Sequence, residues 1–144
     1  MRALNTALAA LALLIPTSAL AQTWPDRSIR LVVPFPAGGP TDIIARVVGQ
    51  AMTDALGQPV VIDNRGGAGG VTGTDQVARA APDGYTLALS SAGALSISPS
   101  LQRMPYNSTK DLAPITLVAK VPELLVVPAA SSAKTLEDFI AAAK

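Results

Sequence analysis

With no histidine and no cysteine among its 144 residues, the chain has no imidazole base, no thiol nucleophile and none of the usual zinc ligands. Most hydrolytic mechanisms go with them. What remains able to do chemistry is largely backbone. Three short turns are built of glycine and other small residues: Phe35-Pro-Ala-Gly-Gly-Pro40, Asn64-Arg-Gly-Gly-Ala-Gly-Gly70 and Ser90-Ser-Ala-Gly93. In the first, Gly38 and Gly39 let the main chain come close to whatever sits beside it. A helix beginning at or near Thr41, with Pro40 or Thr41 supplying the first-turn geometry or the cap, faces its unpaired N–H groups and positive dipole end outward. An anion such as a carboxylate or phosphate suits that place. An ordinary strand-to-helix turn is the other reading of the same residues. Two charged side chains stand close by. Asp42 could orient a water or meet an ammonium group, and stabilising the helix N-terminus is an equally good role. Arg65 could meet an anion, or be a solvated turn arginine.

Better-known motifs fail on their spacing. Gly67-Ala68-Gly69 follows a strand, but the third glycine of a dinucleotide fingerprint falls on Thr72, and Ser90 stands where an acidic residue would bind the ribose. No Gly-Lys-Ser/Thr follows the glycines, so a phosphate-binding P-loop is excluded. Ser131-Ser-Ala-Lys134 has the Ser-x-x-Lys spacing of penicillin-recognising enzymes without its companions, and helix capping by Ser132 or Thr135 accounts for it. Asn107-Ser-Thr109 fits a glycosylation acceptor by letter and is read as local capping.

The elements that position the turns are legible in the apolar pattern. Ile29 to Val33 reads as a strand buried on both faces, stopped by Pro34. Beyond the first turn Ile43, Ile44, Val47, Val48, Ala51, Met52 and Leu56 recur at helical spacing, and Gly57 is placed to end the helix. Pro59 to Asp63, with Val60, Val61 and Ile62 consecutive, predicts a second strand covered on both faces. The second glycine turn leads into a weaker helix from Val71 to Ala81, Pro82-Asp83-Gly84 is a turn, and Tyr85 to Leu89 is a third strand. A short helical stretch follows through Ile97 and Leu101, and Asn107 to Asp111 carries a capping pattern. Pro114 to Val121 and Leu124 to Val127 read as two more strands. Thr135 opens a last helix whose Leu136, Phe139, Ile140 and Ala143 share a face. Strand, glycine turn, helix, repeated, is the pattern of an α/β fold with a doubly wound, mainly parallel sheet. In such sheets the turns at the carboxyl ends of the strands form the site.

Composition sets the compartment. Met1 to Ala21 has the form of a secretory leader: Arg2, an apolar run from Ala7 to Ile15, and Ala19-Leu20-Ala21 as a cleavage site, so the mature chain is expected to begin at Gln22. The run is too short to span a bilayer. There are eleven basic and ten acidic residues; removing Arg2 with the leader makes the two equal, with no cluster of either sign. Nucleic acid, which needs a basic face, is therefore excluded as a partner. The expectation is a soluble periplasmic protein with one core.

These motifs, in this order, resemble a family. The leader, then Trp24-Pro-Asp-Arg-Ser-Ile-Arg-Leu-Val-Val-Pro-Phe-Pro-Ala-Gly-Gly-Pro-Thr-Asp42, then Val61-Ile-Asp-Asn-Arg-Gly-Gly-Ala-Gly-Gly-Val-Thr-Gly-Thr74, then Pro82-Asp-Gly-Tyr-Thr-Leu87 closely resemble the Bug proteins, periplasmic solute-binding proteins of the tripartite tricarboxylate transporter type. The resemblance runs on through Pro99-Ser-Leu, Asp111-Leu-Ala-Pro-Ile and Val126-Val-Pro. It implies the type II periplasmic binding protein fold, in which two α/β domains clamp a small carboxylated solute for delivery to membrane permease subunits. Together with the missing histidine and cysteine, the expectation is binding without catalysis, cofactor or metal. By the resemblance Phe35, Ala37, Gly38, Gly39 and Asp42 belong to a first ligand loop, Gly69 and Gly70 to a second, and Ser90, Ser91 and Ala92 to a third. In such proteins a ligand carboxylate is held largely by backbone amides and ordered waters. The family's chains are longer, so the expectation is a leader, 1–21, and an incomplete ligand-binding domain, 22–144, whose second domain and other cleft wall are absent. Two other classes stay open. A sheet-edge enzyme would need Asp42 or Asp63 as a base with a raised pKa, whereas a structural or interaction module would show the three turns filled by side chains, with no cavity; a carboxylate sensor without a transport role is the nearer alternative.

Overall fold

The computed structural model describes residues 23–122 and 124–143. The expected leader and its cleavage site lie outside them. The described residues fall into two compact units that meet at Ala113 and Pro114 in sequence.

The first unit is a three-stranded parallel sheet. Strand β1 (Ile29–Val33) is flanked by β2 (Val60–Asn64) and β3 (Thr86–Ala88), giving the order β2-β1-β3 with Leu31 in register with Ile62 and Leu87. Helix α1 (Pro40–Leu56) connects β1 to β2, and a 3₁₀ turn (Ala68–Gly70) leads into α2 (Val71–Ala78), which connects β2 to β3. After β3 a π turn (Gly93–Ile97) runs into the short α3 (Ser98–Leu101). The steps from β1 to β2 and from β2 to β3 run in opposite directions across the sheet, so right-handed crossovers put α1 and α2 on opposite faces. The β1 prediction holds: Ile29, Val32 and Val33 are completely buried. Leu31, Val33 and Ala45 form the core beneath α1, with Phe35, Val60, Ile62, Leu87 and Leu89 packed against them.

Two expectations need correction. The face that α1 turns to the sheet is not the arc of its largest side chains, because Asp42, Ala45 and Gly49 are buried while Ile43 and Val47 are 58% and 69% exposed. The helix lies so close to β2 that a Cβ on Gly49 would come within 3.1 Å of Ile62 Cδ1. Close approach selects small residues and rotates the apolar arc off the sheet. Strand β2 is not covered on both faces either. Val61 is half exposed, because the face opposite α1 carries the ion pairs of Asp63 with Arg30 and Arg65 rather than a core.

Local rules worked where the signal was local. Gly57 adopts φ 69° and its N–H bonds the Thr53 carbonyl, closing α1 as its glycine predicted. The Thr53 hydroxyl donates to the Gly49 carbonyl and accepts from the Val60 N–H, tying α1 to the start of β2. On the other face Gly73 is the contact point of α2, where a Cβ would lie 2.7 Å from the Arg65 carbonyl oxygen and 2.8 Å from Pro34 Cβ. At the opposite end of the sheet Tyr85 Oη donates to Asp26 at 2.6 Å, and the Arg27 guanidinium lies 4.1 Å from the Tyr85 ring centre and pairs with Asp83. The capping pattern at Asn107 is present, its Oδ1 accepting from the Thr109 and Lys110 N–H groups while Asp111 accepts from the Asn107 N–H.

In the second unit α4 (Leu136–Ala143) begins as predicted. Thr135 Oγ1 accepts the Asp138 N–H, and Asp138 accepts the N–H groups of Lys134 and Thr135, a reciprocal cap. Those bonds hold the Asp138 carboxyl below its ordinary range. Ser131 Oγ accepts the Ala133 N–H and Lys134 Nζ bonds the Ala129 carbonyl, so both ends of the Ser-x-x-Lys spacing serve a turn. The strands expected at Pro114 to Val121 and Leu124 to Val127 do not form among the described residues. A strand is a pairwise object, and β-branched composition supplies the extended preference but not the partner.

Candidate functional site

The carboxyl ends of all three strands open into the small-residue turns, and side chains draw those turns together. Phe35 and Gly70 are in contact: a Cβ on Gly70, whose φ is 95°, would lie 3.3 Å from Phe35 Cζ and 3.5 Å from Ala94 Cβ. The first and second turns therefore meet at Phe35 and Gly70, with Ala94, the residue that follows the third turn, packed against Gly70. Gly66 adds a second seam between turns one and two, lying against Pro36 and Phe35.

Asp42 organises the first turn from beneath. It is 1% exposed, and its Oδ2 accepts the Gly38 N–H at 2.8 Å and Arg46 Nε–H at 2.9 Å, while Oδ1 accepts Asn64 Nδ2–H at 3.0 Å. Asn64 also donates to the Phe35 carbonyl at 3.1 Å. The Arg46 hydrogen bond, followed by those from Gly38 and Asn64, lowers the Asp42 pKa to about 2. Gly38, φ 82°, takes the left-handed conformation that this hydrogen bond requires, and Gly39 is the N-cap residue of α1.

The other carboxylate near the turns behaves alike. Burial works to raise the Asp63 pKa, but the hydrogen bonds and charges of Arg30 and Arg65 outweigh it and hold the group below its ordinary value. Of the two readings of Arg65, the structure adds a third: it is half exposed and paired with Asp63 at 2.9 Å. Neither aspartate is poised near neutral pH as a general base must be.

The remaining sequence-predicted positions lie on the rim. Ala37, Gly38, Gly69 and Ala92 are exposed, and Phe35, Gly39, Ser90 and Ser91 are partly buried. Gly69 has φ 63°. Ser91 closes its own turn, its carbonyl accepting the Leu95 N–H and its hydroxyl the Ala94 N–H. Three supporting residues went unmarked by sequence reasoning. Asn64 links the end of β2 to the first turn. Thr74, completely buried, bonds both the Gly70 carbonyl and the Ser90 hydroxyl at 2.8 Å. Tyr106 donates to the Ala94 carbonyl at 2.8 Å, and burial pushes its phenol above the ordinary range. Only Asn64, a side-chain amide at a strand's carboxyl end, and Thr74, four residues after a turn glycine, left a trace in the sequence.

Geometrically this is the carboxyl edge of an open α/β sheet, where small molecules commonly bind, lined by glycines and small residues rather than reactive side chains. The model of the family described as "Tripartite tricarboxylate transporter family receptor" matches residues 44–144, and the chain belongs to that family. Protein BugT of Bordetella pertussis is 48% identical over 129 residues, which are 86% of this chain and 39% of that protein. A Rhodopseudomonas palustris protein solved with adipate superposes with a TM-score of 0.72 at 36% identity, over 83% of this chain and 40% of its own. MatC of the same organism, solved with bound malate, gives a TM-score of 0.59 at 43% identity, over 61% and 30%. The fold is that of the periplasmic binding proteins. The chain spans about 40% of the length of the curated relatives it matches.

Proposed function

We propose that this sheet edge is one wall of a site that captures a small carboxylate, an organic or amino acid, for delivery to the membrane permease subunits of a tripartite tricarboxylate transporter. The observation that carries the reading is the gathering of three glycine and serine turns around Phe35, Gly70 and Ala94, beside aspartates held fully ionised and otherwise engaged. Such an edge offers N–H groups to an anion and no proton-transfer group. Binding without catalysis follows. The malate and adipate bound by relatives support the solute class. Phe35, Ala37, Gly38, Gly39, Gly69, Gly70, Ser90, Ser91 and Ala92 supply the wall, and Asp42 acts beneath it by fixing Gly38. The protein works in the periplasm, reached through a leader cleaved after Ala21 and forming, from residue 22 onward, the first ligand-binding domain. The test is calorimetric titration with malate and adipate, comparing the wild type with Gly39→Leu. Binding by the wild type, reduced at least tenfold by the bulky residue in the first turn, is expected; turnover of either acid, or equal affinity in the variant, counts against the proposal.

A further inference from the structure

Thr74 is completely buried in the first turn of α2, and its hydroxyl has two partners at 2.8 Å, the Gly70 carbonyl oxygen and the Ser90 hydroxyl. A threonine hydroxyl has one hydrogen and a carbonyl has none. The Thr74 hydrogen is committed to Gly70, so the bond between the two hydroxyls carries the hydrogen of Ser90. Ser90 is then left with lone pairs only. Tyr106, whose own hydrogen goes to the Ala94 carbonyl, is a further neighbour of Thr74 and can only accept from it, so it does not supply the hydrogen of the bond to Ser90. The arrangement is stiff: Gly73, next to Thr74, is jammed against Pro34 and the Arg65 carbonyl, which prevents α2 from rolling.

Resting on the carboxylate reading above, we infer that buried Thr74 is a positioning residue that fixes the partly buried Ser90 hydroxyl as a hydrogen-bond acceptor at the mouth of the three turns. The third turn then reads a donor on the solute, a hydroxyl or ammonium group beside its carboxylate, while backbone N–H groups receive the carboxylate itself. A bare carboxylate oxygen set against Ser90 Oγ meets lone pairs and is disfavoured. Selectivity among acids of one length thus comes from the direction of one hydrogen bond.

The experiment is calorimetric titration of the full chain with two matched pairs, succinate against malate and glutarate against glutamate, the second acid of each pair adding one donor group. The wild type is expected to favour the donor-bearing acid by about three- to tenfold, the range of one hydrogen bond. In Thr74→Val the Ser90 hydrogen is released and the ratio falls towards one; in Thr74→Ser the ratio is kept. Ser90→Ala, at a partly exposed position, loses the ratio without disturbing the helix, and keeps the test decisive should Thr74→Val fail to fold. A ratio preserved in folded Thr74→Val or in Ser90→Ala overturns the inference, as does a wild type that binds all four acids without preference, which leaves the carboxylate reading standing. A wild type that binds none of the four removes the carboxylate reading and the inference together.

Discussion

Asp42 gathers donors from three parts of the chain, the Gly38 amide of the turn, Arg46 one helical turn on and Asn64 at the end of β2. Its pKa falls from an ordinary 3.8 to about 2, so the folded state holds the proton less tightly than the unfolded chain. The stability this contributes is fully present above the unfolded value and is lost as pH falls through about 4 towards 2. Asp63 shifts in the same direction and adds to the same acid window. Denaturant melts between pH 6 and pH 2 should show stability falling over that lower range, and Asp42→Asn should flatten the fall while lowering stability at neutral pH. An unchanged slope would mean that Asp42 is not the titrating group. The sequence placed Asp42 at the start of the helix but left its role open, because that role depends on Asn64, distant in sequence and adjacent only once β1 and β2 pair.

The same division between local and distant information governs the elements. Strand β1, the extent of α1 and the Gly57 cap were legible because runs, caps and breakers act within a few residues. Which side of α1 would be buried was not, since the distance between helix and sheet is set by Ala45 and Gly49 against Val60 and Ile62. Gly73 makes a comparable demand on α2. Adding a methyl group there drives a Cβ into the Arg65 carbonyl and Pro34, backbone atoms that cannot swing aside. Gly73→Ala is expected to cost about 1–3 kcal/mol, as overpacking does. Gly49→Ala should cost less, because its nearest obstacle is the mobile end of Ile62. Equal losses in chemical denaturation, or none at Gly73, would refute this account of how the two helices seat on the sheet. The three turns were legible as a group for the same local reason, whereas the buried Tyr106 hydroxyl that braces them carries no turn or cap signal.

At the scale of the whole chain the apolar residues are unevenly resolved into core. The first unit buries the apolar residues of β1, yet between Pro114 and Val127 the large apolar side chains Ile115, Leu117, Val121, Leu124, Leu125 and Val126 are each at least two-thirds exposed. This stretch is also rich in β-branched residues and has no ladder partner among the described residues. Exposed, strand-prone, apolar chain is a template for pairing with another copy. An apolar surface beyond a few hundred Å² is unusual on a soluble monomer. Prolines 114, 122 and 128 interrupt the run and limit how long such a pairing can grow. The 144-residue chain prepared by itself is therefore expected to associate as concentration rises, seen as growing light scattering and binding of an apolar dye. Replacing Leu117 and Leu125 with lysine should suppress both, by placing charge on the stretch where copies would pair. Because the turns of the first unit contain neither residue, malate or adipate binding should survive the double replacement. A wild-type chain that stays monomeric and dye-silent would show that this segment is covered in solution. Loss of acid binding in the lysine variant would show that the segment contributes to the site.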